Sequence, residues 1–234
     1  MQKEDYLTSV NSEKKVREWQ RELAAIKRHN PLSFQPSKSA LLVLDMQNVF
    51  LDVKSHAYIP SSPLIIKNIN QLIGAYKRQN LPIIFTRHTT KKSQKAPIKP
   101  RSPSDPPDMM VKWWRHPILD TDPESKIHPS LNLEGLKVLK KHQYSAFHET
   151  KLHDYLQTRN VNQIVISGVM AHLCCESTAR EAFMRGYEVF FLIDGTASYS
   201  EKFHVGTLRA IAHGFGKCVS CSEVINLVEK EGGK

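Results

Sequence analysis

The sequence predicts an α/β fold: a doubly wound, six-stranded and mostly parallel sheet with helices on both faces, a three-layer sandwich. Three observations carry this. Short apolar runs recur at 39–45, 82–86, 136–140, 163–167, 187–194 and 216–220. Helical periodicity fills most of the intervals between them, and strands alternating with helices of this length assemble into parallel sheets. The first run, "SALLVLD", is apolar at consecutive rather than alternate positions, as in a strand covered on both faces. A chain of 234 residues with 40% apolar content is long enough to bury one such domain.

Residues 11–30 read as an amphipathic helix with Ser12 as cap, because Val16, Trp19, Leu23 and Ile26 recur at three- and four-residue steps before Pro31 stops it. This extension, residues 1–37, stands ahead of a domain covering 38–234, and its apolar stripe serves either a subunit contact or packing on its own domain. After the first strand, "SSPL" announces a helix: Ser62 caps it and Pro63 takes the first helical position, where its missing N–H is harmless. Ile65, Ile69, Leu72, Ile73 and Tyr76 form the buried stripe of that helix. Further helices are expected around 150–159, 172–185, 201–213 and 222–230. Residues 88–135 break the rhythm, holding eight of the thirteen prolines and the pair Trp113 and Trp114. Loops this long inside compact domains are usually functional or disordered, so the segment is either a packed lid over a pocket or a long connection anchored by its tryptophans.

The net charge of +10 invites a nucleic-acid reading, but the positive residues are spread along the chain. Their one concentration, "TRHTTKKSQKAPIKPR" (86–101), lies in a proline-rich loop without interleaved aromatics, so no nucleic-acid partner is expected. A small-molecule substrate, anionic ones included, suits the basic balance equally well. The first thirty residues hold no apolar run long enough for a signal peptide or a membrane span, which predicts a cytoplasmic protein without a membrane partner. The four cysteines, at 174, 175, 218 and 221, are too few and too clustered for a disulfide framework and read as reduced thiols. "CVSC" (218–221) has metal-knuckle spacing but no second pair to close a tetrahedral site. "HGFG" (213–216) reads as a helix end and turn rather than a phosphate loop.

In open parallel sheets, ligands bind beyond the carboxyl ends of the strands, where the strand order reverses. The polar residues expected at those ends are Asp45, the run Thr86, Arg87 and His88, then Lys141, the stretch Gly168 to Cys174, and Asp194. A carboxylate directly after four apolar residues needs a partner or a task, so Asp45 is either a cap or salt-bridge residue or a functional one. Lys141 alone says little, since "LKKH" holds two lysines. Cys174 and Cys175 alone are compatible with core thiols. Their placement adds a second possibility: a cysteine in the first turn of a helix feels the N-terminal field that lowers a thiol pKa, and a nearby carboxylate and lysine complete an activated nucleophile.

Three segments, "LLVLDMQNVF" (41–50), "YSAFHETKL" (144–152) and "GVMAHLCCESTAREAFMRGYEV" (168–189), resemble the signatures of the isochorismatase-like cysteine hydrolases, a family that includes nicotinamidases, N-carbamoyl amidohydrolases and isochorismatases. The resemblance runs from about Ser39 to about Val228. It implies a catalytic triad of Asp45, Lys141 and Cys174: the aspartate of "DMQ", the lysine three residues before the tyrosine of "YSAF", and the residue six after Gly168. Cys175 then becomes a packing neighbour. The resemblance further implies a non-proline cis peptide at Val169–Met170, an oxyanion hole from the backbone N–H groups of Met170 and Cys174, and a homodimer or homotetramer. His88, Trp114, Phe50 and His172 are the implied substrate-binding residues, with His172 either pointing into the site or simply starting the helix.

The implied chemistry is cofactor-independent hydrolysis of a small amide or ureido C–N bond through a thioester. True isochorismatases usually carry glycine where this chain has Cys174, and a tyrosine where it has Met170. Yet "AHLCC" shares the Ala-His of that branch and Trp114 matches a tryptophan of its substrate loop. Vinyl ether hydrolysis using Asp45 alone therefore stands as an alternative, and a non-catalytic scaffold with the same fold is a third reading. Nicotinamidases bind a divalent ion through an aspartate and closely spaced histidines. Here Asp52 and His56 stand at a different spacing, with His88 further on, so no metal is expected.

Overall fold

The computed structural model describes residues 3–26, 32–90, 109–110 and 116–232. Six strands, β1 (Ser39–Leu44), β2 (Ile83–His88), β3 (Lys137–Lys141), β4 (Gln163–Val169), β5 (Glu188–Ala197) and β6 (Lys217–Val219), form one sheet in the order β3-β2-β1-β4-β5-β6. Every pairing is parallel, so the expected mostly parallel sheet is parallel throughout. The order reverses between β1 and β4, whose carboxyl ends bear Asp45 and the Gly168–Cys174 stretch.

Seven α-helices are described: α1 (Ser12–Ala24), α2 (Asn48–Leu51), α3 (Ser62–Arg78), α4 (Leu152–Gln157), α5 (Glu176–Met184), α6 (Glu201–Gly214) and α7 (Cys221–Gly232). They cover both faces of the sheet because successive strand residues point to opposite sides. Leu41 and Val43 of β1 pack with Ile65, Ile69, Leu72, Ile73 and Tyr76 of α3 and with Val224 and Val228 of α7. Ala40, Leu42 and Leu44 face the other layer, with Leu152 and Leu156 of α4, Ala179 and Ala182 of α5, and Leu208 and Ile211 of α6.

Two elements depart from expectation in ways that matter for the site. The helix expected from 172 begins instead as a π-type turn, Ala171–Cys175, and becomes regular only in α5. Strand β5 runs past Asp194 to Ala197, with a register shift against β4 between Ile166 and Gly168. Asp194 therefore lies inside the strand rather than at its end, and its Oδ1 accepts the Cys221 N–H at 2.7 Å, capping the start of α7. It takes no part in the site at the end of β1. The loop residues 91–108 and 111–115, including Trp113 and Trp114, lie outside the described residues. Among the described residues, no helix is long and apolar enough to cross a membrane.

The stripe on α1 packs on its own domain. Val16 and Trp19 are buried in the layer that holds Leu208 and Ile211, and Leu23 packs against it. Lys15 pairs with Glu201 at 2.5 Å and Arg209 pairs with Glu22, tying α1 to α6 from both sides of the apolar contact. Beneath Trp19 lies His204, fully enclosed, its ring centroid 5.3 Å from the tryptophan's.

Burial, and behind it His172, pushes His204 down from 6.5 to about 3. The folded chain thus refuses a proton that the unfolded chain accepts between these two values, so folding stability falls as pH is lowered through that window. From this one group the slope reaches about 1.4 kcal/mol per pH unit. The urea midpoint of the wild type should drop more steeply from pH 7 to pH 4 than that of His204→Gln. Equal slopes would remove His204 from the account.

Candidate active site

Three chain segments meet where the strand order reverses. Asp45, directly after β1, adopts a left-handed backbone with φ 49°, a conformation that short Asp side chains tolerate better than most. Its N–H donates to Thr86 Oγ1 at 3.1 Å, and the Thr86 hydroxyl donates back to Asp45 Oδ1 at 2.7 Å. This reciprocal clasp from the neighbouring strand fixes one carboxylate oxygen. The other, Oδ2, is 2.7 Å from Lys141 Nζ.

Lys141 ends β3, an edge strand separated from β1 by β2, and the sequence alone does not show how it reaches Asp45. It does so from its place opposite His88 in the β2–β3 register. Strands lie about 4.8 Å apart, so the span is about two strand spacings, and the long lysine side chain closes it. Strand alternation separates it from its neighbour: Lys140 points outward to pair with Asp120 at 2.6 Å, while Lys141 is wholly buried. Its ammonium is held on three sides, by Asp45, by the Gln143 carbonyl at 2.9 Å and by Cys174 Sγ at 3.3 Å.

Cys174 projects from the π-type turn that follows β4. The Val169–Met170 peptide is cis, and the N–H groups of Leu173 and Cys175 both donate to the Met170 carbonyl, at 3.0 and 3.2 Å. Such five-residue π turns frequently coincide with functional sites. Gly168, at φ 106°, admits the β1 backbone so closely that a Cβ there would stand 2.1 Å from the Leu44 carbonyl oxygen. This approach brings the turn and Asp45 together.

The electrostatics correct one expectation. Burial pushes the Cys174 thiol up to about 12; Lys141 pulls the other way, but the Asp45 carboxylate, within hydrogen-bonding reach, adds to the rise. The helix-terminus field does not leave a standing thiolate, because the thiol is buried and the Lys141 ammonium beside it is shared with a carboxylate. Lys141 shows the complementary balance. Burial alone would lower its pKa, yet Asp45 and Cys174 together turn the shift upward and hold the ammonium charged. At rest the site is a neutral thiol beside an intact Asp45–Lys141 ion pair.

Cys175 is fully buried among Ala171, Ala179 and Ala182, with Sγ 4.0 Å from the Ser167 carbonyl, and burial raises its pKa well above the usual thiol range. It is a core thiol beside Cys174. His88 is pushed down to about 4 by burial and by Lys141, so its ring is neutral at physiological pH. Gln47 fixes the His88 backbone, donating from Nε2 to its carbonyl at 2.9 Å and accepting its N–H at 2.7 Å, while also donating to the Ser125 carbonyl at 2.8 Å. Phe50 is packed in the core with Met170 and Leu131. His172 is half-buried, its Nδ1 2.5 Å from Ser198 Oγ and its ring stacked on Phe203 at 4.4 Å. Trp114 lies outside the described residues. Arg87 turns away to pair with Asp120.

Gln47 and Thr86 are structural residues whose partners the sequence does not show. Thr86 was visible as a polar strand end and Gln47 as the third letter of "DMQ", but neither local pattern shows the partner across the sheet. Among the described residues, no three His, Cys, Asp or Glu side chains are gathered in a way that would hold a metal ion.

With this geometry established, comparison with known proteins is decisive. The Isochorismatase domain matches residues 39–223. The chain belongs to the isochorismatase family. It is 36% identical to nicotinamidase 3 of Arabidopsis thaliana over 80% of this chain and 86% of that protein. It is 31% identical to enterobactin synthase component B of Escherichia coli (strain K12), over 82% of this chain but only 64% of that larger protein. Among solved structures it resembles a cysteine hydrolase from Pseudomonas syringae pv. phaseolicola, with a TM-score of 0.76 and 26% identity over 87% of this chain and 99% of that one. The protein is an isochorismatase-family hydrolase, and its six-stranded sheet is the family's α/β fold.

Proposed function

We propose that this hydrolase cleaves a C–N bond of a small amide or ureido compound through a thioester on Cys174, with Asp45 and Lys141 completing the triad. The observation that carries the reading is the position of Lys141 Nζ, 2.7 Å from Asp45 Oδ2 and 3.3 Å from Cys174 Sγ in a fully buried site. The similarity to a nicotinamidase, and at 29% identity to a ureidoacrylate amidohydrolase of Cronobacter sakazakii, supports the substrate class.

A thiol with a pKa near 12 is not a nucleophile by itself at neutral pH. Deprotonation must therefore accompany attack. Asp45 takes the thiol proton as the sulfur adds to the carbonyl carbon, and the C=O pair moves onto oxygen. The N–H groups of Met170 and Cys174 receive the oxyanion; in a known hydrolase one such donor is worth about 3 to 4 kcal/mol. The C–N bond then breaks as Asp45 returns the proton to the leaving nitrogen, giving amine and thioester. Water, deprotonated by Asp45, adds to the thioester, and expulsion of sulfur restores the thiol and releases the acid. Lys141 stays charged throughout and stabilises the carboxylate and the developing thiolate alternately.

The test is ammonia release from a panel of primary amides and carbamoyl compounds, with wild type and Cys174→Ala side by side in chelator. Turnover by the wild type and its loss in Cys174→Ala by about a thousandfold or more is the expected result. Activity that survives Cys174→Ala and disappears in Asp45→Asn would instead identify the ether-hydrolase reading, in which the aspartate acts alone.

A further inference from the structure

The segment ahead of the matched domain reaches the turn that carries Cys174. Glu4 N–H donates to the Tyr199 carbonyl at 2.9 Å, Leu7 N–H to Ser61 Oγ at 3.2 Å, and Tyr6 is buried between Trp19 and His204. From Tyr6 a chain of hydrogen bonds leads inward. The Thr196 hydroxyl donates to the Leu192 carbonyl at 2.7 Å, so it accepts from His204 Nε2, 3.0 Å away. Neutral His204 then presents a bare Nδ1, which accepts the Tyr6 hydroxyl proton at 3.0 Å. That hydroxyl oxygen in turn accepts the Ser198 N–H at 2.9 Å. Ser198 lies one residue beyond the Ala197–Val169 pair of the β4–β5 register, and its Oγ meets His172 Nδ1 in the turn itself, two residues before Cys174.

We propose that Tyr6 is a positioning residue for the nucleophile turn: the N-terminal strap, residues 4–7, fixes Ser198 through the Tyr6 hydroxyl, and through Ser198 and His172 sets how the Cys174 thiol faces Asp45 and Lys141. The strap lies outside the matched residues 39–223, so this chain supplies part of its site's scaffold from sequence beyond the family domain. The proposal rests on Cys174 as the reacting group. Its first readout therefore needs no substrate.

Tyr6→Phe removes one oxygen and keeps the ring against Trp19 and His204. The measurement is the rate of Cys174 alkylation by iodoacetamide, resolved by peptide mass spectrometry, with half-buried Cys218 in the same molecule as reference. The Cys174 rate should change by about threefold or more while Cys218 is unaltered, and kcat on any substrate found should fall on the order of tenfold with KM within about twofold. Val16→Ala, which opens a cavity in the same layer without touching a network atom, should lower Tm and leave both readouts unchanged. Ser198→Ala, which cuts the link to His172, should act in the same direction as Tyr6→Phe, and the double variant should lose less than the product of the single losses.

Wild-type Cys174 reactivity and kcat in a folded Tyr6→Phe overturn the proposal, as do equal losses in Val16→Ala. If Tyr6→Phe does not fold, unchanged Cys174 reactivity in Ser198→Ala overturns it. Turnover surviving in Cys174→Ala would refute the thioester reading separately, since alkylation still reports how the turn is held.

Discussion

Replacing Lys141 by Met is expected to abolish turnover and to cost the fold about 3 to 5 kcal/mol, because it strands a buried carboxylate without its counter-ion. Asp45 is completely buried, and the ammonium 2.7 Å away is its only ionic partner among the described residues. Without that cation the carboxylate proposed as the base for Cys174 loses its counter-charge. The two consequences separate in a double variant. Lys141→Met combined with Asp45→Asn should regain much of the lost stability, since a neutral amide can keep the Thr86 clasp, and regain none of the activity. Urea denaturation and kcat for the two single variants and the pair check this. Lys141→Met with turnover within tenfold of wild type would contradict it.

The second large effect comes from a residue with no side chain. Gly168→Ala would place a Cβ 2.1 Å from the Leu44 carbonyl oxygen and 2.6 Å from the Leu44 nitrogen, on a backbone at φ 106°. Backbone atoms of a central strand cannot step aside as a flexible side chain would. Relief requires β1 and β4 to part at the level of Asp45, so a loss of several kcal/mol and of all activity is expected. Gly135→Ala is the matched control: it has a positive φ of 72° but nothing within 4 Å of the added carbon. It should cost only about 1 to 2 kcal/mol, the intrinsic penalty of that backbone region. Thermal melts of the two variants distinguish steric contact from backbone strain. Equal shifts in Tm would show that the close approach of β1 and β4 does not matter.

The sheet was legible because parallel strands buried on both faces read as uninterrupted apolar runs, and "SALLVLD" marks both the strand and the carboxylate that ends it. The end of β5 is hidden for the same reason: the apolar run stops at Asp194, whereas pairing with β4 resumes at Thr196 and Ala197 after a register shift that no local pattern encodes. The turn at Ala171–Cys175 was expected as ordinary helix, since five residues are too few for π periodicity to show. The contact of Lys141 with Asp45 joins an edge strand to a central one, and no local pattern encodes it; the resemblance to the family supplied it. The raised thiol pKa of Cys174 follows from enclosure by three separate segments, which is a property of the fold and not of the sequence around the cysteine. The stripe of Val16 and Trp19 announced a buried face, but its counterpart, Leu208, Ile211 and His204, lies far along the chain on α6.

The central claim is that the acyl group passes through Cys174. Its most direct measurement is intact-protein and peptide mass spectrometry on the enzyme acid-quenched during turnover of the best amide from the panel. The account predicts an adduct with the mass of the acyl fragment on the peptide carrying Cys174, lost on treatment with hydroxylamine and absent from Cys174→Ala. Undiminished turnover by Cys174→Ala, with no adduct on the wild type, would contradict it.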